Sequence, residues 1–167
     1  MKWDSICSNS ARKEEDKMII GIIGENCSGK STLADQIGTE LGAEIISGND
    51  YLRMAKSESE ARKLFQEKLK DALSGSNIIY VISEPDQLAN LPDGAIRILV
   101  KADLETIKQR FRIRLHGNLP DPVAKMLERK HGMFDKGMYD YCFDSTADNA
   151  SELCEELRKE ICPVYGG

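Results

Sequence analysis

Gly24-Glu25-Asn26-Cys27-Ser28-Gly29-Lys30-Ser31 spells G-x-x-x-x-G-K-S, and its flanks decide the fold. The run before it, Met18-Ile19-Ile20-Gly21-Ile22-Ile23, is continuously apolar and reads as a buried parallel strand. The run after it, Thr32 to Leu41, carries apolar residues at helical spacing. Strand, glycine-rich loop and helix together make a phosphate-binding loop. Gly24 and Gly29 let the backbone wrap a phosphate chain, so that successive N–H groups and a helix N-terminus point at the anion. Lys30 supplies positive charge to the β- and γ-phosphates, and the Ser31 hydroxyl is a ligand for Mg²⁺. The expected nucleotide-binding set is Gly24, Glu25, Asn26, Cys27, Ser28, Gly29, Lys30, Ser31 and Thr32.

The 167-residue chain fits one domain, long enough to bury about 70% of its unfolded surface. A formal charge of -5 argues against a protein built for nucleic acid or an anionic membrane. No apolar run approaches 18 residues, and the N-terminus lacks the apolar core of a signal peptide. Five cysteines without framework spacing suit a reducing cytoplasm, the expected location. Neither His116 nor His131 pairs with cysteines at zinc-like spacing, and both read as surface residues. Cys27, beside Lys30, is either a redox-sensitive thiol or a small residue tolerated in a loop read through its backbone.

Residues 1–17 are polar and read as a flexible leader or a short helix outside the core. Strands are expected at Ala43–Ser47, around Ile78–Ile82, at Ile96–Val100 and at Tyr139–Phe143. Helices are expected over 51–74, 103–115, from Pro122 to about Lys136, and 149–162. The 51–74 stripe is Ala61, Leu64, Phe65, Leu69, Ala72 and Leu73, and its mixed charges read as a solvated surface. This alternation predicts an α/β fold: three layers, with a mostly parallel sheet of about five strands covered by helices on both faces.

In such sheets the ligand lies beyond the carboxyl ends of the strands. Asp50 follows the second strand and Glu84 the third. Either could enter the Mg²⁺ shell, and Asp50 could orient an acceptor hydroxyl or phosphate. The alternatives are a helix N-cap at Asn49 or Asp50, and an exposed turn acid before Pro85. Arg110 and Arg114 share a helix face, Arg112 does not, and Ile107, Phe111 and Leu115 are expected to dock that helix. Paired arginines suit the charge of phosphoryl transfer, or else form a solvated basic face balanced by Asp103 and Glu105. Arg53 and Arg129 are weaker candidates of the same kind.

On these residues the chain resembles small P-loop kinases of the nucleoside monophosphate kinase kind. Ile46-Ser47-Gly48-Asn49-Asp50-Tyr51-Leu52-Arg53 is similar to the adenylate-kinase-like segment in which a strand ends in Gly-Asp and an arginine follows. That resemblance implies that Asp50 and Arg53 border the acceptor, with Arg53 on its phosphate. Ile107 to Arg114 resembles the guanylate kinase lid helix, with two arginines four apart, and Tyr139-Asp140-Tyr141 resembles that enzyme's Tyr-Asp-Tyr. It implies a P-loop kinase-like domain over 18–167, with a short acceptor-site helix insert at about 49–75 and a lid at about 110–122.

The chain also departs from guanylate kinase. About thirty residues join Ser47 to Asn77 and read as helix, so its GMP-recognising segment is absent. Ser83-Glu84-Pro85 replaces the usual aspartate after the third strand, and Ser145-Thr146 stands where Asn-Asp lies near the adenine. No Asn-Lys-x-Asp guanine motif is present, so adenine is the expected base.

The expected function is ATP·Mg-dependent phosphotransfer to a nucleotide, nucleoside or other small metabolite, with Lys30, Asp50, Arg110 and Arg114 as catalytic residues. Ser31 and Glu84 are the expected metal ligands. One alternative is an ATP-binding switch with little turnover. A third, phosphorylation of an RNA or protein end, is disfavoured by the acidic charge.

Overall fold

A computed structural model describes residues 18–161 except Ser76 and the side chains of 72–75 and 160–161, so the expected stripe residues Ala72 and Leu73 lie outside the described side chains. The expected leader over 1–17 lies outside the described residues. Five strands, β1 (Ile19–Ile23), β2 (Glu44–Ser47), β3 (Ile78–Ile82), β4 (Ile96–Lys101) and β5 (Tyr141–Asp144), form one sheet in the order β2-β3-β1-β4-β5. Every pairing is parallel, so the expected "mostly parallel" sheet is parallel throughout.

The helices are α1 (Lys30–Leu41), α2 (Glu58–Gly75), α3 (Leu104–Arg114), α4 (Asp121–Lys130) and α5 (Ala150–Ile161). Alternate residues along each strand face opposite sides. Ile20, Ile22, Ile79, Val81, Ile98 and Val100 meet Leu33, Ala34 and Ile37 of α1 and Leu153, Cys154 and Leu157 of α5. On the other face Ile19, Ile23, Ile78, Tyr80 and Ile82 meet Ala61, Phe65 and Leu69 of α2. β1 and β3 are buried at every position, because each lies between two strands and two helical layers.

Several sequence expectations are corrected. The 51–74 helix is instead a 3-10 helix, Asp50–Met54, followed by α2 from Glu58. Ala55 is extended between them, and Ser57 caps α2 by accepting a hydrogen bond from the Glu60 amide at 3.2 Å. Tyr51 fixes the 3-10 turn by stacking on Phe65, with ring centroids 4.9 Å apart. Leu64 lies outside the apolar stripe and is exposed, whereas Ala61, Phe65 and Leu69 are buried. Leu115, expected to dock α3, is exposed, while Ile107 is buried and Phe111 half-buried.

The helix expected to reach Lys136 ends at Lys130, where the chain turns and Gly132 takes φ +81°. β5 begins at Tyr141, because Asp140 is committed to Arg97 through two 2.8 Å bonds, amide to carbonyl and amide to carboxylate. The segment after β3 holds a 3-10 helix, Pro85–Asn90, that periodicity does not reveal.

Candidate nucleotide and acceptor site

Parallel strands bring β1, β2 and β3 to one edge of the sheet, and the loops that follow them carry the candidate residues. The Gly24–Ser31 loop leaves β1 with the Gly24 amide donating to the Ile82 carbonyl at 3.1 Å. Gly24 is required by close approach: a Cβ there would lie 2.6 Å from Ser28 Oγ and 2.8 Å from the Val100 carbonyl. Gly29 has φ +105°, the left-handed region, immediately before α1. Cys27 also has a positive φ, +64°, and does so without being glycine. Its thiol is free and half-buried.

Lys30 lies under this loop, 6% exposed, with Nζ donating to the Glu25 carbonyl at 3.0 Å. Burial pushes its pKa down from 10.5 to about 8; Cys27, Glu25 and Glu84 act in the opposite direction, and Arg114 adds to the lowering. Lys30 therefore sits within electrostatic reach of residues from the loop, from the end of β3 and from α3. Ser31 and Thr32, in the first turn of α1, are exposed at the helix N-terminus.

A cavity of about 890 Å³ opens onto this loop, within the size of small-molecule sites. Asn26, Cys27, Gly29, Lys30, Ser31 and Thr32 line it, with Arg110 and Arg114 from α3 and Ser83 after β3. Arg112 is not among its lining residues, as expected for the opposite helix face. Arg110 Nη1 donates to the Cys27 carbonyl and to Ser145 Oγ, both at 3.1 Å, so α3 is fastened over the loop. Ser145, Asp148, Asn149 and Ala150 close the end of the cavity beyond β5.

Other expected residues lie elsewhere. Asp50 and Arg53 are exposed on the 3-10 helix after β2 and do not line the cavity. Asn49, not Asp50, occupies the N-cap position of that helix, without a side-chain cap bond. Arg129 is exposed on α4. Glu84, outside the cavity lining, is paired with Lys130 Nζ at 3.1 Å. Glu25 turns its carboxylate away from the loop, accepting from the Gly132 amide at 2.8 Å and meeting His131 Nδ1 at 3.1 Å. His131 is thus exposed, as the sequence suggests, and has Glu25 as its partner.

Lys130 and His131 are the residues that sequence reasoning missed. Within a helix expected to run to about Lys136 neither is singled out by position, and only the tertiary fold shows that they reach Glu84 and Glu25. Among the described residues no group of three or more His, Cys, Asp or Glu side chains could hold a metal ion. Ser31 lines the cavity and the Glu84 carboxylate lies outside that lining; Mg²⁺ needs few protein ligands where phosphates and water complete its shell. No helix among the described residues is long and apolar enough to cross a membrane.

No protein-family model matches the chain. It is 26% identical over 163 residues to the SPbeta prophage-derived uncharacterized protein YorR of Bacillus subtilis (strain 168), covering 83% of this chain and 96% of that protein. Among solved structures it is similar to the shikimate kinase of Acinetobacter baumannii in complex with shikimate, with a TM-score of 0.59 and 15% identity over 88% of this chain and 94% of that one. A sugar kinase from Janibacter sp. HTCC2649 gives a TM-score of 0.59 and 18% identity over 88% and 96% of the two chains. The deoxyadenosine kinase of M. mycoides with bound dATP gives 0.51 and 18% over 85% and 98%.

The fold is that of P-loop kinases. At such identities the P-loop kinase likeness concerns architecture, and the chemistry of this chain has to be argued from its own residues.

Proposed function

We propose that this protein is an ATP-dependent phosphotransferase acting on a nucleotide, a nucleoside or another small metabolite. One observation carries the reading: the arginine-bearing helix α3 lies over the phosphate-binding loop, with Arg110 bonded to the Cys27 carbonyl and Arg114 lining the same cavity as Lys30 and Ser31. A loop that only held phosphate would need no second pair of cations, Arg110 and Arg114, facing Lys30 across the cavity.

In this reading the amides of Gly24–Thr32 and the α1 N-terminus bind the triphosphate. Lys30 and the two arginines stabilise charge on the transferring group, a role arginine's planar fork suits. Lys30, with its pKa lowered to about 8, becomes fully protonated against the phosphates. Asp50 orients the acceptor hydroxyl and Arg53 holds an acceptor phosphate. Ser31 and Glu84 would hold Mg²⁺, which when bound neutralises phosphate charge. For Glu84 this requires the carboxylate to leave Lys130 or share it. The shikimate, sugar and deoxyadenosine kinases named above make hydroxyl acceptors the first class to try.

The guanylate kinase-like lid assignment rests on the same arginine pair, and the 18–167 domain with its insert and lid belongs to this proposal. The test is ATP turnover against nucleosides, nucleotides and hydroxylated metabolites including shikimate, gluconate and deoxyadenosine. Acceptor-stimulated ADP release supports the reading, and none across the panel counts against it. A second reading, an ATP-binding switch with little turnover, is favoured by the Glu84–Lys130 pair and by the position of Asp50 and Arg53 outside the cavity lining. Tight ATP binding with a conformational change, indifferent to every acceptor, would select it.

A further inference from the structure

Buried polar side chains are costly unless they are bonded for a reason. Among the described residues four polar or charged side chains are buried: Ser28 and Lys30 in the phosphate loop, and Gln87 and Asn90, both in the short 3-10 helix Pro85–Asn90 after β3. The phosphate site accounts for the first pair. The second pair lies outside the cavity lining, yet both are linked to the segment after β2, Gln87 directly and Asn90 through Tyr80.

Gln87 Oε1 accepts from the Ser83 amide at 2.9 Å and the Glu84 amide at 3.2 Å, while its Nε2 donates to Asn49 Oδ1 at 3.4 Å. One side chain thus joins the backbone of Glu84 to the residue preceding Asp50. Asn90 Nδ2 donates to the Tyr80 hydroxyl at 3.0 Å, and that hydroxyl donates to the Gly48 carbonyl at 2.8 Å. Burial pushes the Tyr80 pKa up to about 12, so the hydroxyl remains a donor through the physiological range. Tyr80 also packs edge-on against Phe65, with centroids 4.9 Å apart, and Phe65 stacks on Tyr51. Segment 48–54 is therefore held by a hydroxyl, an amide and a ring stack, and the hydroxyl and amide contacts trace back to Pro85–Asn90.

We infer that Pro85–Asn90 is a brace in which Gln87 and Asn90, the latter through Tyr80, are positioning residues that fix Asp50 relative to Glu84 and the phosphate loop. The inference rests on the reading above that Asp50 faces the acceptor. A plain capping role for Gln87 would explain the bonds to Ser83 and Glu84. It would not explain the bond to Asn49, nor the parallel route through Asn90 and Tyr80 to Gly48.

The probe is Mg·ATP with water as the phosphoryl acceptor, read as hydrolysis rate and as ATP Kd, together with amide hydrogen exchange of the ligand-free protein. Tyr80→Phe keeps the ring stack and removes only the hydroxyl; Gln87→Met is close in shape and removes all three bonds. Each variant is expected to slow hydrolysis about tenfold, since small misplacements of a reacting group are costly, with ATP Kd within about twofold of wild type. In an Asp50→Asn background the same changes should cost less than about twofold, because they act through Asp50.

Exchange at the Gly48 and Leu52 amides, bonded to the Val81 and Asn49 carbonyls, should speed up about tenfold while Ile20 and Ile79 are unchanged. Additive losses with Asp50→Asn, or unaltered exchange at Gly48 and Leu52, would overturn the brace. If wild type transfers no phosphoryl group to water, exchange at Gly48 and Leu52 alone decides the brace, while the phosphotransferase reading stands or falls on the acceptor panel.

Discussion

Replacing Lys30 with methionine should stabilise the nucleotide-free protein while destroying its nucleotide site. Lys30 is 6% exposed and its pKa falls from 10.5 to about 8, chiefly through burial. A fall of that size corresponds to about 3 kcal/mol of unfavourable charge burial at neutral pH. Methionine relieves that cost but forfeits the bond from Nζ to the Glu25 carbonyl, worth about 1 kcal/mol. The net gain of about 2 kcal/mol should raise Tm by about 4–8 °C in a protein of this size.

The sign of the pH dependence follows from the lowered pKa. Between about 8 and 10.5 the unfolded state holds a proton that the folded state has released, so wild-type stability rises with pH across that window. The Lys30→Met advantage is therefore full below pH 8 and disappears above about 10.5. Thermal unfolding of both proteins at pH 7 and pH 10, without nucleotide, checks this directly. A variant less stable than wild type at pH 7, or a difference independent of pH, would show that burial of the Lys30 charge is not destabilising.

Gly24→Ala places a methyl group 2.6 Å from Ser28 Oγ and 2.8 Å from the Val100 carbonyl. It should destabilise by about 1–3 kcal/mol and abolish ATP binding, measured by denaturant unfolding and calorimetry. Arg110→Ala should lower ATP turnover by about 10²–10³-fold, with a smaller loss for Ser145→Ala, because the arginine sits over the loop while the serine only holds it there. Glu84→Gln should raise the Mg²⁺ concentration needed for half-maximal turnover, whereas Lys130→Met should leave it unchanged or lower it, since Lys130 holds the carboxylate in the ligand-free protein. Leu157→Ala, which empties a fully buried position between α5 and the sheet, should cost about 2–5 kcal/mol by denaturant unfolding.

The strand–loop–helix unit around Gly24–Ser31 was legible because its signals are local: continuous apolar runs for β1 and β3, and two glycines with a lysine between strand and helix. Arg110 and Arg114 were legible as a pair through helical spacing alone. What the sequence could not show is long-range. Glu84 pairs with Lys130, 46 residues away, and Glu25 meets His131, 106 residues away; no periodicity encodes such partners. The 3-10 helix at Asp50–Met54 was hidden because its cause, Tyr51 stacking on Phe65, lies in the tertiary packing of α2. Nothing in the sequence pattern singles out Gln87 or Asn90, and only their burial gives them meaning.

The most direct measurement of phosphotransfer through this site follows the γ-phosphate of labelled Mg·ATP, in wild type and Lys30→Ala, across the acceptor panel. Phosphotransfer at this loop requires transfer to a small hydroxylated or phosphorylated acceptor by wild type and none by the variant, whose circular dichroism remains native. Failure of wild type to bind ATP, or normal binding and turnover by Lys30→Ala, would contradict it.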